Sequence, residues 1–278
     1  MALIEHNNPI LHKLNDKLTE ESPRPYLGLS QIGNSCHRFL QHYHYWTFTS
    51  HHSARLKRLF MVGHDAEDKM IADLKTVGIM VDGQQERIIG SAGHWKGHTD
   101  GSGWLDTEAS DKFLVEFKTH NDKSFNDLKK KKMKASKPTH YGQMQAYMGY
   151  KEYTKGLYMA LNKNTSEYYI EWVDFDEDYF KDSKRKEVEV IASDVMLPRI
   201  GNDNKTWFEC KFCDARKVCF GDKEVVKSCR SCQNVDVLPD GQWACVHNFQ
   251  SNGILGLTEG MQRSACDNYD LAEMFKEV

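Results

Sequence analysis

The chain has 278 residues, 40% of them hydrophobic, and a formal net charge of −3. That length allows one sizeable domain with a small addition, and the charge excludes a protein coated in basic residues, so any contact with nucleic acid must be local. No apolar run is long enough to span a membrane and no apolar leader opens the chain, so the expectation is a cytoplasmic protein whose eight cysteines stay reduced and bind metal.

In chain order, residues 1–28 are polar, carry Pro23 and Pro25, and read as an N-terminal arm. Asn34 or Ser35 can cap a helix bearing Cys36, Arg38, Phe39, Leu40 and Tyr43. A second helix from Ala54 to Lys75 has Leu56, Leu59, Phe60, Met70, Ile71 and Leu74 at helical spacing. Within it His64 and Glu67 share a face one turn apart, so either could approach a metal site against which this helix packs. Strands are expected near Glu86–Ile89, Trp95–Asp100 and Phe113–Thr119. The lysine run that follows (Lys129, Lys130, Lys131, Lys132, Lys134) would ordinarily be a solvated loop, but its place directly after the candidate strand favours contact with DNA phosphates. Pro138 opens a helix on which Gln143 and Tyr147 share a face. Leu157–Asn162 and Tyr168–Val173 form a hairpin, and a charged helix from Asp176 to Val195 follows. This order predicts a mixed α/β fold, a central mixed sheet flanked by helices over residues 29–200, and then a Cys-rich metal-binding module over residues 201–278.

The stretch Phe113-Leu114-Val115-Glu116-Phe117-Lys118-Thr119 is an apolar strand from which Glu116 and Lys118 emerge on one face. Charges on such a strand are costly to bury without a partner. Gly97-His98-Thr99-Asp100-Gly101 adds a second carboxylate at the end of the preceding strand. Two carboxylates and a lysine are the groups that hold a hard divalent cation against a phosphate. The sequence also contains Glu67-Asp68-Lys69, Asp73-Leu74-Lys75, Asp127-Leu128-Lys129 and Asp182-Ser183-Lys184, but these lie in polar or helical segments and read as solvated faces.

Cys210, Cys213 and Cys219 supply three thiolates from one loop and need a fourth ligand to close a zinc or iron–sulfur site. Cys229, Cys232 and Cys245 have zinc-ribbon spacing, with Asp240-Gly241 as the hairpin turn. The fourth ligand there is Cys266 or His247, and Cys266 is preferred because Cys245 and His247 stand very close in sequence.

Cys36, Gly63-His64, Asp100, Glu116-Phe117-Lys118, Gln143 with Tyr147, and the trailing Cys210, Cys213 and Cys219 occur in that order. The pattern resembles the RecB-like branch of the PD-(D/E)XK nuclease superfamily over about residues 30–220, with phage exonucleases and the iron–sulfur nucleases of the AddB and CRISPR-adaptation type nearest. Thr99-Asp100 stands where the superfamily has Pro-Asp. The resemblance implies a restriction-endonuclease-like core. In it Asp100, Glu116 and the Phe117 carbonyl would hold Mg²⁺ or Mn²⁺, with His64 as a further ligand, direct or through water. Lys118 would position the attacking water, and Gln143 and Tyr147 would touch DNA or steady Lys118. Cys36 would complete a [4Fe–4S] cluster, or a zinc site, with Cys210, Cys213 and Cys219. The implied function is a DNA exonuclease of phage-type recombination or replication, with a recombinase or single-strand-binding protein as partner. The rival readings are a structure-selective endonuclease and a non-catalytic nucleic-acid-binding protein built on the cysteine sites.

Overall fold

A computed structural model describes residues 8–18, 24–50, 52–201 and 203–276, apart from the side chain of Ala109. Residues 1–7 and 19–23 of the expected arm 1–28 lie outside these residues, but Pro9–Asp16 forms helix α1, capped by the Asn8 side chain. Strand β1 (Leu27–Gly28) follows, then α2 (His37–His44) and α3 (Ala54–Thr76). Cys36 is the N-cap of α2, its Sγ accepting from the Phe39 amide at 3.3 Å. Strands β2 (Ile79–Asp82), β3 (Arg87–Ile89), β4 (Trp95–His98), β5 (Gly101–Leu105) and β6 (Glu108–His120) come next. Helices α4 (Asp122–Ser136) and α5 (Pro138–Lys151) carry the chain over to β7 (Lys155–Asn162), which turns into β8 (Tyr168–Asp174) and then α6 (Glu177–Ala192).

The main sheet has the order β2-β5-β6-β7-β8. Within it only β6 and β7 run parallel, and the α4–α5 crossover makes that pairing possible. Alternation along β6 divides the core. Leu114 joins Tyr158 and Ala160 of β7 under Leu128 of α4 and Met144 and Met148 of α5, while Phe113, Val115 and Phe117 face Ala66, Met70 and Leu74 of α3. Glu116 and Lys118, in phase with Leu114, therefore emerge on the α5 side. A small sheet β1-β4-β3 lies beside the main one, with Trp95 buried at its centre.

Two short helices, α7 (Phe208–Lys211) and α8 (Arg216–Cys219), carry the first cysteine group, and β9 (Val235–Val237) pairs antiparallel with β10 (Trp243–Cys245). Helices α9 (Val246–Asn252) and α10 (Glu259–Gln262) follow. This segment packs onto the end of α2: Tyr45 shares a cluster with Trp243, Leu257 and Phe275. Arg230, 2% exposed, is sandwiched between Trp46 and Trp243 at 3.7 and 4.4 Å and donates to the carbonyls of His44 and Pro25 and to Gln262 Oε1. Burial lowers its pKa to about 9.

Two expectations change here. The lysine run is not a loop but the second half of α4, where Asn121 caps the helix and Phe125, Leu128 and Met133 bury one face. Strands β2 and β5 were not expected. Asp100 falls between β4 and β5, so the strand predicted to end on it stops at His98. No described helix is long and apolar enough to cross a membrane.

Candidate active site

Antiparallel pairing sets the site. Gly101 stands opposite Val115, so Asp100 lies beside Glu116 as the chain enters β5. The Phe117 amide donates to Asp100 Oδ2 at 2.8 Å, fixing that carboxylate. Lys118 Nζ reaches Asp100 Oδ2 at 3.6 Å, donates to the Phe117 carbonyl at 2.9 Å and forms a short ion pair with Glu116 Oε1. Glu116 is fully buried, and its Oε2 has no hydrogen-bond partner. Burial, and then the charge of Asp100, pushes Glu116 up to about 8. Burial opposes the charge of Lys118, but the two carboxylates outweigh it and raise its pKa.

Helix α3 presents Glu67 toward this cluster; burial and the Asp100 charge raise its pKa. His64 stands one turn away, its side chain 71% exposed, with Nδ1 3.7 Å from Glu67 Oε1. The acid of the pair thus faces the carboxylates and the imidazole stands outside. Gln143 and Tyr147 are 6% and 2% exposed. Gln143 hydrogen-bonds Tyr147, and burial, followed by the charge of Glu116, raises the pKa of that phenol. The Tyr147 hydroxyl packs against Gly97, where an added Cβ would collide with it.

Sequence reasoning missed a group behind Lys118. The Tyr158 hydroxyl lies 3.0 Å from both His120 Nε2 and His140 Nδ1, one imidazole on each side. Burial first, then nearby lysines, hold these histidines at about 4 and about 2, so both are neutral.

Of the α4 lysines, Lys129 pairs with Glu167, Lys131 with Asp127 and Lys134 with Asp176. Lys132 breaks the helix at φ 63° and ψ 170°.

The eight cysteines are free thiols in two groups. Cys36, Cys210, Cys213 and Cys219 line one cavity, with Arg199 and Arg216 on its wall. Cys229, Cys232, Cys245 and Cys266 line another, with His247. Burial raises Cys213 and Cys229 to about 11, and neighbouring thiols add to the rise. Among the described residues, no three His, Cys, Asp or Glu side chains are gathered closely enough to hold an ion as they stand. The donors nevertheless fit one chemically. Backbone amides donate to Cys36 Sγ and, from Asn248 at 3.4 Å, to Cys245 Sγ. Arg38, whose charge couples to Cys36 and Cys219, is 8% exposed and its Nε has no partner, which suits an anionic centre. At the acid cluster the partnerless Glu116 oxygen is the corresponding opening for a cation.

The fold and site together define a mixed α/β protein with a buried acid and a lysine on its central strand and a second acid beside them. No family model and no curated protein matches this chain. Among solved structures, SSO0001 aligns at 14% identity over 75% of this chain and 92% of its own, with a TM-score of 0.43. The alkaline exonuclease LHK-Exo of Laribacter hongkongensis aligns at 14% identity over 65% and 91%, with a TM-score of 0.41. LHK-Exo in complex with dAMP gives 13%, 60% and 87%, with a TM-score of 0.42. Likeness this loose transfers no activity.

Proposed function

We propose that this protein is a divalent-metal-dependent deoxyribonuclease, an exonuclease that hydrolyses phosphodiester bonds at DNA ends. The observation that carries the reading is the Asp100–Glu116–Lys118 cluster, in which Glu116 is fully buried with one oxygen left without a partner. Asp100, Glu116 and the Phe117 carbonyl would hold Mg²⁺ or Mn²⁺, with Glu67 or His64 beside them. The ion would supply Lewis-acid charge for the phosphate oxygens. Asp100 is oriented by the Phe117 amide, and Lys118 is held between the two acids. Lys118 orients the attacking water and donates to the phosphate as negative charge grows there. As the water oxygen bonds to phosphorus its proton passes to solvent; the P–O bond to the leaving nucleotide breaks, and that oxygen takes a proton from solvent. Tyr147, backed by Gln143, keeps water from the far side of the cluster.

The cysteine groups support a protein of a reducing compartment that carries two further metal centres. Cys36, Cys210, Cys213 and Cys219 would hold a [4Fe–4S] cluster or zinc, and Cys229, Cys232, Cys245 and Cys266 would hold zinc. Cys266 is favoured over His247, whose Nε2 is engaged by Asn268 at 2.8 Å.

The test is incubation of end-labelled linear DNA and closed circular DNA with and without Mg²⁺ or Mn²⁺. Metal-dependent release of nucleotides from linear DNA alone, lost in Glu116→Gln and Lys118→Met, is the expected result. Nicking of the circle would make the protein an endonuclease. DNA binding without cutting would make it a non-catalytic binder.

A further inference from the structure

Helix α3 has a stripe that the chemistry above leaves unused. Phe60, Gly63, His64 and Glu67 recur at three- and four-residue intervals and so share one face. The lower end of the stripe lies at the catalytic cluster, since the charge of Glu67 couples to Asp100 and Lys118. Its upper end is open. Phe60 is 49% exposed, and a Cβ built on Gly63 would meet nothing within 4 Å. An exposed phenylalanine in line with a buried acid cluster gains nothing for the core. The Phe60 ring is held all the same: His52 meets it edge-on, with centroids 5.6 Å apart.

Glu67 and Phe60 are seven residues apart, about 10 Å along the helix axis. That is no more than about three nucleotides at the ~3.4 Å spacing of stacked bases. We propose that Phe60, braced by His52, is a stacking platform for one unpaired nucleobase of the strand whose phosphate lies at Asp100 and Glu116. The inference rests on the nuclease reading and adds a substrate form, a DNA end that is single-stranded for a few nucleotides. An aromatic face suits this ligand because every base has a π-face, so the platform fixes position without choosing sequence.

The test is binding of single-stranded oligonucleotides carrying one abasic site at successive positions, measured in the Glu116→Gln background so that nothing is cut. One position within about three nucleotides of the cleavage point should weaken binding ~5- to 100-fold when its base is removed, the usual worth of one stacked base. In Phe60→Ala the same abasic site should make no further difference, and Phe60→Trp should restore it. Phe60→Leu, which keeps an apolar side chain, should behave like Phe60→Ala. Equal abasic penalties with and without Phe60, or no position-dependent penalty, would overturn the platform while leaving cleavage by the native protein in place. Failure of the native protein to bind or cut DNA in any form would overturn both readings.

Discussion

Glu116 combines complete burial, a carboxylate neighbour at Asp100 and an oxygen without a partner. A buried polar group left unpaired costs about 1–3 kcal/mol, so the residue expected to be indispensable for cutting is also a weak point of the fold. Glu116→Gln replaces the ionisable carboxyl with a neutral amide and leaves Lys118 with Asp100. It should abolish cleavage yet raise Tm by about 2–4 °C, read by calorimetry in chelator. A fall in Tm would mean that the Glu116–Lys118 pair supports the fold more than its burial opposes it. Gly97 carries the opposite constraint. Gly97→Ala would drive a methyl into the Tyr147 hydroxyl and should displace it, lowering kcat while KM for DNA stays near its native value, because both residues lie behind the cluster.

At the scale of elements, α4 both interrupts and aims the lysines. Lys132 adopts a backbone conformation normally reserved for glycine, at a cost of about 1–3 kcal/mol, and the following amide of Met133 is caught by Glu171 Oε2 at 2.9 Å. Lys132→Gly should therefore stabilise the protein against urea. With Lys129, Lys131 and Lys134 engaged by acids, a phosphate role falls chiefly to Lys130 and Lys132. Replacing those two by Gln should flatten the salt dependence of DNA binding by about 0.7–0.9 for each phosphate that is no longer neutralised, whereas the three paired lysines should change it little. On the proposed reading of the cysteine groups, Cys36→Ser should remove one metal and Cys229→Ser the other. Metal content and absorbance near ~400 nm in anaerobically purified protein are the measures, and a colourless protein with two zincs would replace the cluster by zinc. Helices α2, α3, α5 and α6 and the hairpin β7–β8 were legible in sequence because their periodicity is strong, as was the face shared by Glu116 and Lys118. Strand β5 was not, because Gly101 and Gly103 carry no strand signal. Their smallness is tertiary: a Cβ at Gly103 would strike the Phe113 ring. Tyr158, His120 and His140 were equally hidden, since only the parallel β6–β7 register brings them behind Lys118.

For the whole molecule, burial keeps a set of histidines neutral: His42 at about 3, His120 at about 4, His140 at about 2, and His44 well below the usual range. Each binds a proton near pH 6.5 when unfolded but not when folded, so its contribution is complete above pH 6.5 and is lost as pH falls toward the folded value. His94 is lowered as well, while Glu67, Glu116 and Glu187, all raised, act in the other direction, and three groups against five leave the sign unchanged. Stability to urea should therefore fall steeply from pH 6.5 to 4.5, by up to ~1.4 kcal/mol per pH unit for each uncompensated group. A flat profile would mean that these histidines protonate in place. The Arg230 sandwich has a consequence in time. Arg230 closes a gap of 186 residues to the end of α2, so that end stays open until the C-terminal segment has been synthesised. At roughly 5–20 residues per second the wait is roughly 10–40 s. Ribosome-bound chains stalled after Ala192 should leave α2 open to protease and show no cleavage, while released full-length chains should show both protection and cutting. On the proposed nuclease reading, a chain closed in this order would complete the packing of α2 only after Arg230 has been made.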